Sequence, residues 1–222
     1  MKHKSLLFTL TAASALLAGT SVHAATIFTT NTGGNAAGLE GDGAGDTTSL
    51  NLSAEDGSGT IDLTSDAVYN GGTAQTLGMD ASGMGIGNSK WGNGPQGWTF
   101  SFDQEITFDG IGFNAAGGAT EGVFIQTDAW IGATVDDSSQ NWTFDSGAGA
   151  FSVQGGNGPT FDFTSAGVSS IAAGGLITIE HNSGNGGSQM TQFTITPAAI
   201  PESSAALLIG LAGLALLRRR RW

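Results

Sequence analysis

The 222-residue sequence predicts an all-β body, an antiparallel sandwich or jelly roll, held between an N-terminal signal helix and a C-terminal transmembrane helix. Three observations predict it. Glycine is dense, at 37 residues against 4 prolines, and at this density it breaks helices and marks turns. Apolar residues recur at i and i+2, the spacing that lines one face of a strand. The longest apolar runs lie near the two chain ends, beside basic residues, where targeting segments sit.

Residues 1–24 read as a signal peptide. Lys2 and Lys4 form the basic start, Leu6 to Ala18 the apolar stretch, and Val22-His23-Ala24 a site for signal peptidase after Ala24. A permanent anchor is the alternative, but Thr9, Thr11 and Ser14 make the run only mildly apolar. Residues 25–196 then form the ectodomain. Its first stretch, Asn31 to Gly59, is polar and reads as a long loop region with one or two edge strands, such as Ser49 to Ser53.

Strand-like alternation follows. Trp98, Phe100 and Phe102 share one face, with Thr99 and Ser101 on the other. Ile106 and Phe108, then Ile111 and Phe113, flank a turn-like Asp109-Gly110. Val123 and Ile125 alternate with Phe124, which predicts a strand covered on both faces. Trp142 and Phe144, Phe151 and Val153, Phe161 and Phe163, Ile177 and Ile179, and Phe193 and Ile195 continue the series. Many short strands between Gly-rich turns indicate a sandwich. A glycine-rich β-solenoid would need a fixed short repeat. Gly92-Asn93-Gly94-Pro95 does recur as Gly156-Asn157-Gly158-Pro159, but two echoes indicate similar turns rather than an array.

Thr196 to Ile200 reads as a linker, and residues 197–222 as a sorting tail with its transmembrane helix at 203–217. Ala205 to Leu217 contains only Ala, Leu, Ile and Gly. As a helix it is roughly 20 Å long at ~1.5 Å per residue, short of a bilayer core of about 30 Å. Ser203 and Ser204 carried in at one end, and snorkelling stems of Arg218, Arg219, Arg220 and Arg221 at the other, extend it to a marginal span. The arginines favour the cytoplasmic side, which leaves the body outside the cytoplasm. A core helix is the alternative, but the run is apolar all round and a clustered basic end suits no core.

The order Pro201-Glu202-Ser203, apolar helix and arginine cluster resembles the PEP-CTERM sorting signal of Gram-negative bacteria. That signal ends in Pro-Glu-Pro, a transmembrane helix and a basic cluster. Pro201 and Glu202 match the first two motif positions, and Ser203 stands where the second proline is usual. The resemblance implies an inner-membrane anchor facing the periplasm, and processing near the motif by an exosortase-type enzyme. Met84 to Ser89, Trp98 to Asp103 and Ile106 to Phe113 resemble the middle of β-sandwich ectodomains that precede such tails, a likeness that supports the fold and implies no activity.

Charge is distributed unevenly. Two lysines lie in the signal segment and four arginines in the tail, so Lys90 is the body's one Lys or Arg. Eighteen of the 19 acids lie in the body, which carries 1 − 18 = −17. Nucleic acid is excluded as a partner, since phosphate binding needs clustered Lys and Arg. With no cysteine, disulfides and thiolate chemistry are excluded. His181 is the mature body's single histidine and reads as an ordinary strand-end residue. A Ser-His-Asp triad lacks its Gly-x-Ser-x-Gly elbow.

Two groups of candidate binding residues remain. In Glu40-Gly41-Asp42-Gly43-Ala44-Gly45-Asp46, three carboxylates spaced by small residues can curl around a cation. Calcium takes six to eight such oxygens, so Glu40, Asp42 and Asp46 are the candidate calcium ligands. The segment has no EF-hand glutamate and resembles a single Gly-Gly-x-Gly-x-Asp unit of calcium-binding β-rolls. The alternative is a solvated acidic turn. Among the tryptophans, Trp98 and Trp142 begin Trp-Thr-Phe strands and read as core, whereas Trp91 and Trp130 lie near turns and are the candidate sugar platforms. Asp136-Asp137 is the candidate acidic pair of a glycosidase, a chemistry that requires two carboxylates facing across a cleft.

The function expected from the sequence is that of an exported, non-enzymatic surface or extracellular-matrix protein with a structural or adhesive role in a biofilm. The alternative is a carbohydrate-binding module acting on exopolysaccharide.

Overall fold

The computed structural model describes residues 24–54, 57–88, 90–92, 95–114, 122–135, 142–154, 160–181 and 187–198. The signal segment, the sorting tail with Pro201, Glu202, Ser203 and the arginines, Asp136-Asp137, Asn93-Gly94 and Gly156 to Pro159 lie outside the described residues.

The strands are β1 (Thr26–Thr29), β2 (Asp46–Ala54), β3 (Gly57–Asn70), β4 (Thr73–Ala74), β5 (Leu77–Asp80), β6 (Gly83–Ile86) and β7 (Gln96–Phe102). They continue as β8 (Ile106–Asn114), β9 (Gly122–Gln126), β10 (Trp142–Asp145), β11 (Ala150–Gln154), β12 (Thr160–Asp162), β13 (Ile177–His181) and β14 (Gln189–Pro197). Helix among the described residues is limited to short 3-10 turns at Ala37–Leu39, Asp128–Trp130 and Thr164–Ala166.

All pairings are antiparallel and form two sheets. The eight-stranded sheet runs β10-β11-β9-β13-β7-β3-β2, with β4 beside β3. The six-stranded sheet runs β12-β8-β14-β6-β5, with β1 beside β14. The pairings are nested about the β10–β11 hairpin. Strand β9 pairs with β11, β8 with β12, β7 with β13 and β6 with β14. Strands β6 to β9 alternate between the sheets on the way in, and β11 to β14 alternate on the way out.

The sheets pack face to face through the alternation read in the sequence. Trp98, Phe100 and Phe102 of β7 are buried. The Phe100 ring stacks on Trp98 at 4.0 Å and lies 6.4 Å from both Phe108 and Phe193 of the opposite sheet. A second aromatic cluster closes the other end of the core: Phe151 of β11 stacks on Phe163 at 4.5 Å, and Trp130 meets Phe151 edge-on at 5.1 Å. Offset and edge-to-face rings each add about 0.5–1.5 kcal/mol beyond burial of their area. The described residues belong to one compact unit.

Several expectations change in the structure. Asp109-Gly110 is not a turn. Strand β8 runs unbroken from Ile106 to Asn114, and its pairing with β14 steps from Phe108↔Ile195 to Gly110↔Thr194, which makes Asp109 the extra residue of a bulge. Glycine is needed there for close approach, since a Cβ on Gly110 would lie 2.5 Å from the Phe161 carbonyl oxygen. Asp109 is buried and accepts a 2.6 Å hydrogen bond from the Thr196 hydroxyl. Burial pushes its carboxyl above the ordinary value against the pull of that bond, and the Asp162 charge adds to the rise.

The polar stretch Asn31 to Gly59 contains more strand than expected. The edge strand runs from Asp46 to Ala54 and pairs with β3 in unbroken register, with Leu50 opposite Ile61. Both of those side chains are buried. Thr196 and Pro197 extend β14 opposite Thr107 and Ile106, so the last strand outruns the expected linker.

One pair of glycines shapes the six-stranded sheet. Gly78 and Gly85 sit opposite each other on β5 and β6, on the face away from buried Met79 and Met84. A Cβ on Gly78 would lie 2.6 Å from the Asn88 backbone, and one on Gly85 2.3 Å from the Lys90 backbone. The glycines thus clear a trench for the chain between β6 and Trp91. Trp91 is fully buried, and its backbone N–H donates to the Ser188 carbonyl at 2.9 Å.

Candidate functional site

The structure withdraws both candidate sugar platforms. Trp91 and Trp130 are each 0% exposed, so neither indole presents a face to solvent. The Asp128–Trp130 turn drives Trp130 into the core, and its indole N–H donates to the Ser169 carbonyl at 3.2 Å. Trp91 packs 6.4 Å from the His181 ring, itself buried at the end of β13. Position beside a turn misled in both cases, because each turn leads directly back into the sandwich.

The candidate calcium segment forms a loop tied by its own hydrogen bonds. Asp46 accepts from the Gly43 N–H at 2.6 Å, and Asp42 accepts from the Thr48 hydroxyl. The Asp42 carbonyl receives the Leu77 N–H at 2.8 Å. Burial raises the Asp42 carboxyl above its ordinary value, with the Asp46 charge a smaller cause in the same direction. Among the described residues no group of three or more His, Cys, Asp or Glu side chains is placed to hold a metal ion.

A different constellation lies on the outer face of the eight-stranded sheet. Each inward residue there has outward neighbours in sequence, and the registers align those neighbours into a row. Tyr69 of β3 faces Gly97 of β7, Gly97 faces Glu180 of β13, Glu180 faces Phe124 of β9, and Phe124 faces Ser152 of β11. Ser152 faces Thr143 of β10, which closes the row.

Gly97 forms the floor of this row. A Cβ there would lie 2.2 Å from the Tyr69 ring, so the phenol ring lies flat across the glycine. From that position its hydroxyl donates to the Glu180 Oε2 at 3.2 Å. Burial and then the Glu180 charge push the phenol above its ordinary value, which keeps it protonated as a donor. Phe124 remains partly exposed, so strand β9 is not fully covered on its second face as expected.

A second row beside the first supplies hydroxyls and an amide. Thr99 and Thr178 share a 3.0 Å hydrogen bond, and Thr178 faces Gln126. At the far end Thr143 also lines a cleft of about 510 Å³ with Thr134, Trp142 and Phe144.

Two separated aromatic rings, a carboxylate between them and flanking hydroxyls can hold a polyhydroxylated ring compound. Aromatic faces take its C–H surfaces, and the polar groups exchange hydrogen bonds with its hydroxyls. Sequence reasoning missed Tyr69 and Glu180. Tyr69 is the chain's single tyrosine, and Glu180 is the outward residue between Ile179 and His181. Their partnership depends on registers between strands far apart in the chain.

Comparison of the chain with protein-family models, curated proteins and solved structures returns no match. Among the described residues no helix is long and apolar enough to cross a membrane.

Proposed function

We propose that this chain is an exported, non-enzymatic adhesive protein that binds matrix polysaccharide through the outer face of its eight-stranded sheet. The Tyr69–Gly97–Glu180–Phe124 row carries this reading. It keeps the carbohydrate alternative read from the sequence and moves it from buried tryptophans to a partly exposed row. The row itself offers one carboxylate, Glu180, where glycoside hydrolysis needs two across a cleft, which favours binding over cleavage. In the finer fold reading, the nested pairing of β6–β9 with β11–β14 is that of a jelly roll.

The direct test is binding of the full-length chain to a panel of polysaccharides. Phe124→Ala removes one platform from the surface and leaves the core untouched. It is expected to weaken binding tenfold to a hundredfold, about 1.4–2.8 kcal/mol, with melting unchanged. Full binding by this variant would remove the row from the reading.

The address rests on the two termini. We read the chain as cleaved by signal peptidase, held at the inner membrane by its C-terminal helix, and passed to an exosortase-type enzyme that releases it to the surface. Intact mass from the medium is expected to fit a species starting at Ala25 and ending near Pro201. A membrane species keeping Trp222 as the only product would refute the processing step.

A further inference from the structure

We infer that the polysaccharide bound by this face is uncharged, and that acidic polysaccharides are rejected. This rests on the glycan-binding reading above. The first ground is the sign of the surface. Glu180 sits mid-row, and Asp66, Asp62 and Asp103 lie on or beside the same outer face of strands β3 and β7. Asp66 accepts from the Ser101 hydroxyl at 3.0 Å, and Asp103 accepts from the Asp62 N–H at 3.0 Å. No Lys or Arg among the described residues shares this face. Lys90, the body's one such residue, packs its backbone on Gly85 of the opposite sheet, and His181 points into the core. A uronate or sulfate on each sugar would meet like charge at Glu180 and at the aspartates beside β3 and β7.

The second ground is donor and acceptor chemistry. The Glu180 Oε2 already receives the Tyr69 hydroxyl. An ionised carboxylate is acceptor only, so its remaining lone pairs need donors. Sugar hydroxyls donate, whereas a ligand carboxylate or sulfate brings more acceptors. An acidic group of the sugar set against Glu180 would therefore place acceptor against acceptor, two desolvated charges of like sign with no donor between them.

The row also sets the size of the occupant. The Tyr69 and Phe124 backbones are three strand steps apart, and the Tyr69 ring lies one step in, over Gly97, which leaves two steps, about 10 Å at ~4.8 Å per step, between the platforms. One sugar ring cannot stack on both. The occupant is a chain of several rings running across the strands.

The test uses the full-length chain in micelles of a detergent without sugar headgroups. Affinity electrophoresis is run through uncharged α- and β-linked hexose polymers and through a polyuronate, at low and high salt. The expected result is retardation by an uncharged polymer, independent of salt, with the polyuronate at least tenfold weaker at low salt. Glu180→Gln should narrow that gap. Equal or tighter polyuronate binding that Phe124→Ala abolishes would overturn the charge assignment and leave glycan binding standing. A gap unchanged in Glu180→Gln would place the discrimination outside this row and overturn the assignment too. No retardation by any polymer would remove both the inference and the reading beneath it.

Discussion

Phe100→Ala is expected to destabilise the body by about 3–5 kcal/mol, the cost of emptying a large aromatic site in a close-packed core. The ring is 0% exposed, stacks on Trp98 at 4.0 Å and meets Phe102 edge-on at 5.7 Å. It also reaches across the sandwich to Phe108 and Phe193. Removing it opens a cavity where the two sheets contact each other, and β strands on both sides are too constrained by their ladders to collapse into it. For a body of this size about 1 kcal/mol moves Tm by roughly 2–4 °C, so thermal melting should fall by roughly 6–20 °C. Since whole domains are stable by only about 5–15 kcal/mol, the variant should also lose a large part of its denaturant resistance. A fall of only a degree or two would mean that the two sheets are not packed through this ring.

Gly85→Ala is the second large effect, and it acts by adding an atom rather than removing several. The new Cβ would lie 2.3 Å from the backbone carbon of Lys90 and 2.4 Å from its nitrogen. Backbone cannot swing aside as a side chain does, so the chain beyond β6 must lift off the sheet. Overpacking of this kind costs about 1–3 kcal/mol. The displaced backbone leads directly to Trp91, whose backbone N–H is tied to Ser188 and whose indole is buried. A red shift of tryptophan fluorescence in the folded variant is therefore expected along with lower Tm. Gly59→Ala serves as the control, since its Cβ would meet Leu52 at an ordinary 3.7 Å. Equal stability of the two variants would contradict the trench described for Gly78 and Gly85.

The contrast between these two sites shows what the sequence disclosed and what it withheld. The strand-facing pattern of Trp98, Phe100 and Phe102 was legible because alternation is local, and the buried residues are those the pattern selects. The same held for Ile177 and Ile179, and for Phe193 and Ile195. Glycine was ambiguous. Gly110 reads in the sequence as part of a turn, yet it serves close approach within a sheet, as Gly85 also does. Trp91 and Trp130 failed as surface candidates for a related reason: a position near a turn does not fix the direction of a side chain. The Tyr69–Glu180 pair spans 111 residues and follows from the β3–β7–β13 register, which no local pattern encodes. Phe124 was visible as an odd apolar residue out of phase, but its meaning required its neighbours on β13 and β11.

The central claim is that glycan covers the Tyr69–Glu180–Phe124 row, and Tyr69 offers a direct report on it. It is the chain's single tyrosine, so isotope labelling of tyrosine gives one ring signal with no assignment needed. Titration of the full-length chain with a polysaccharide it binds should shift that signal in step with saturation, because a sugar ring stacked on the phenol changes its shielding and its bond to Glu180. A Tyr69 signal that stays fixed while the same polysaccharide saturates the protein would contradict the account and place the binding surface elsewhere.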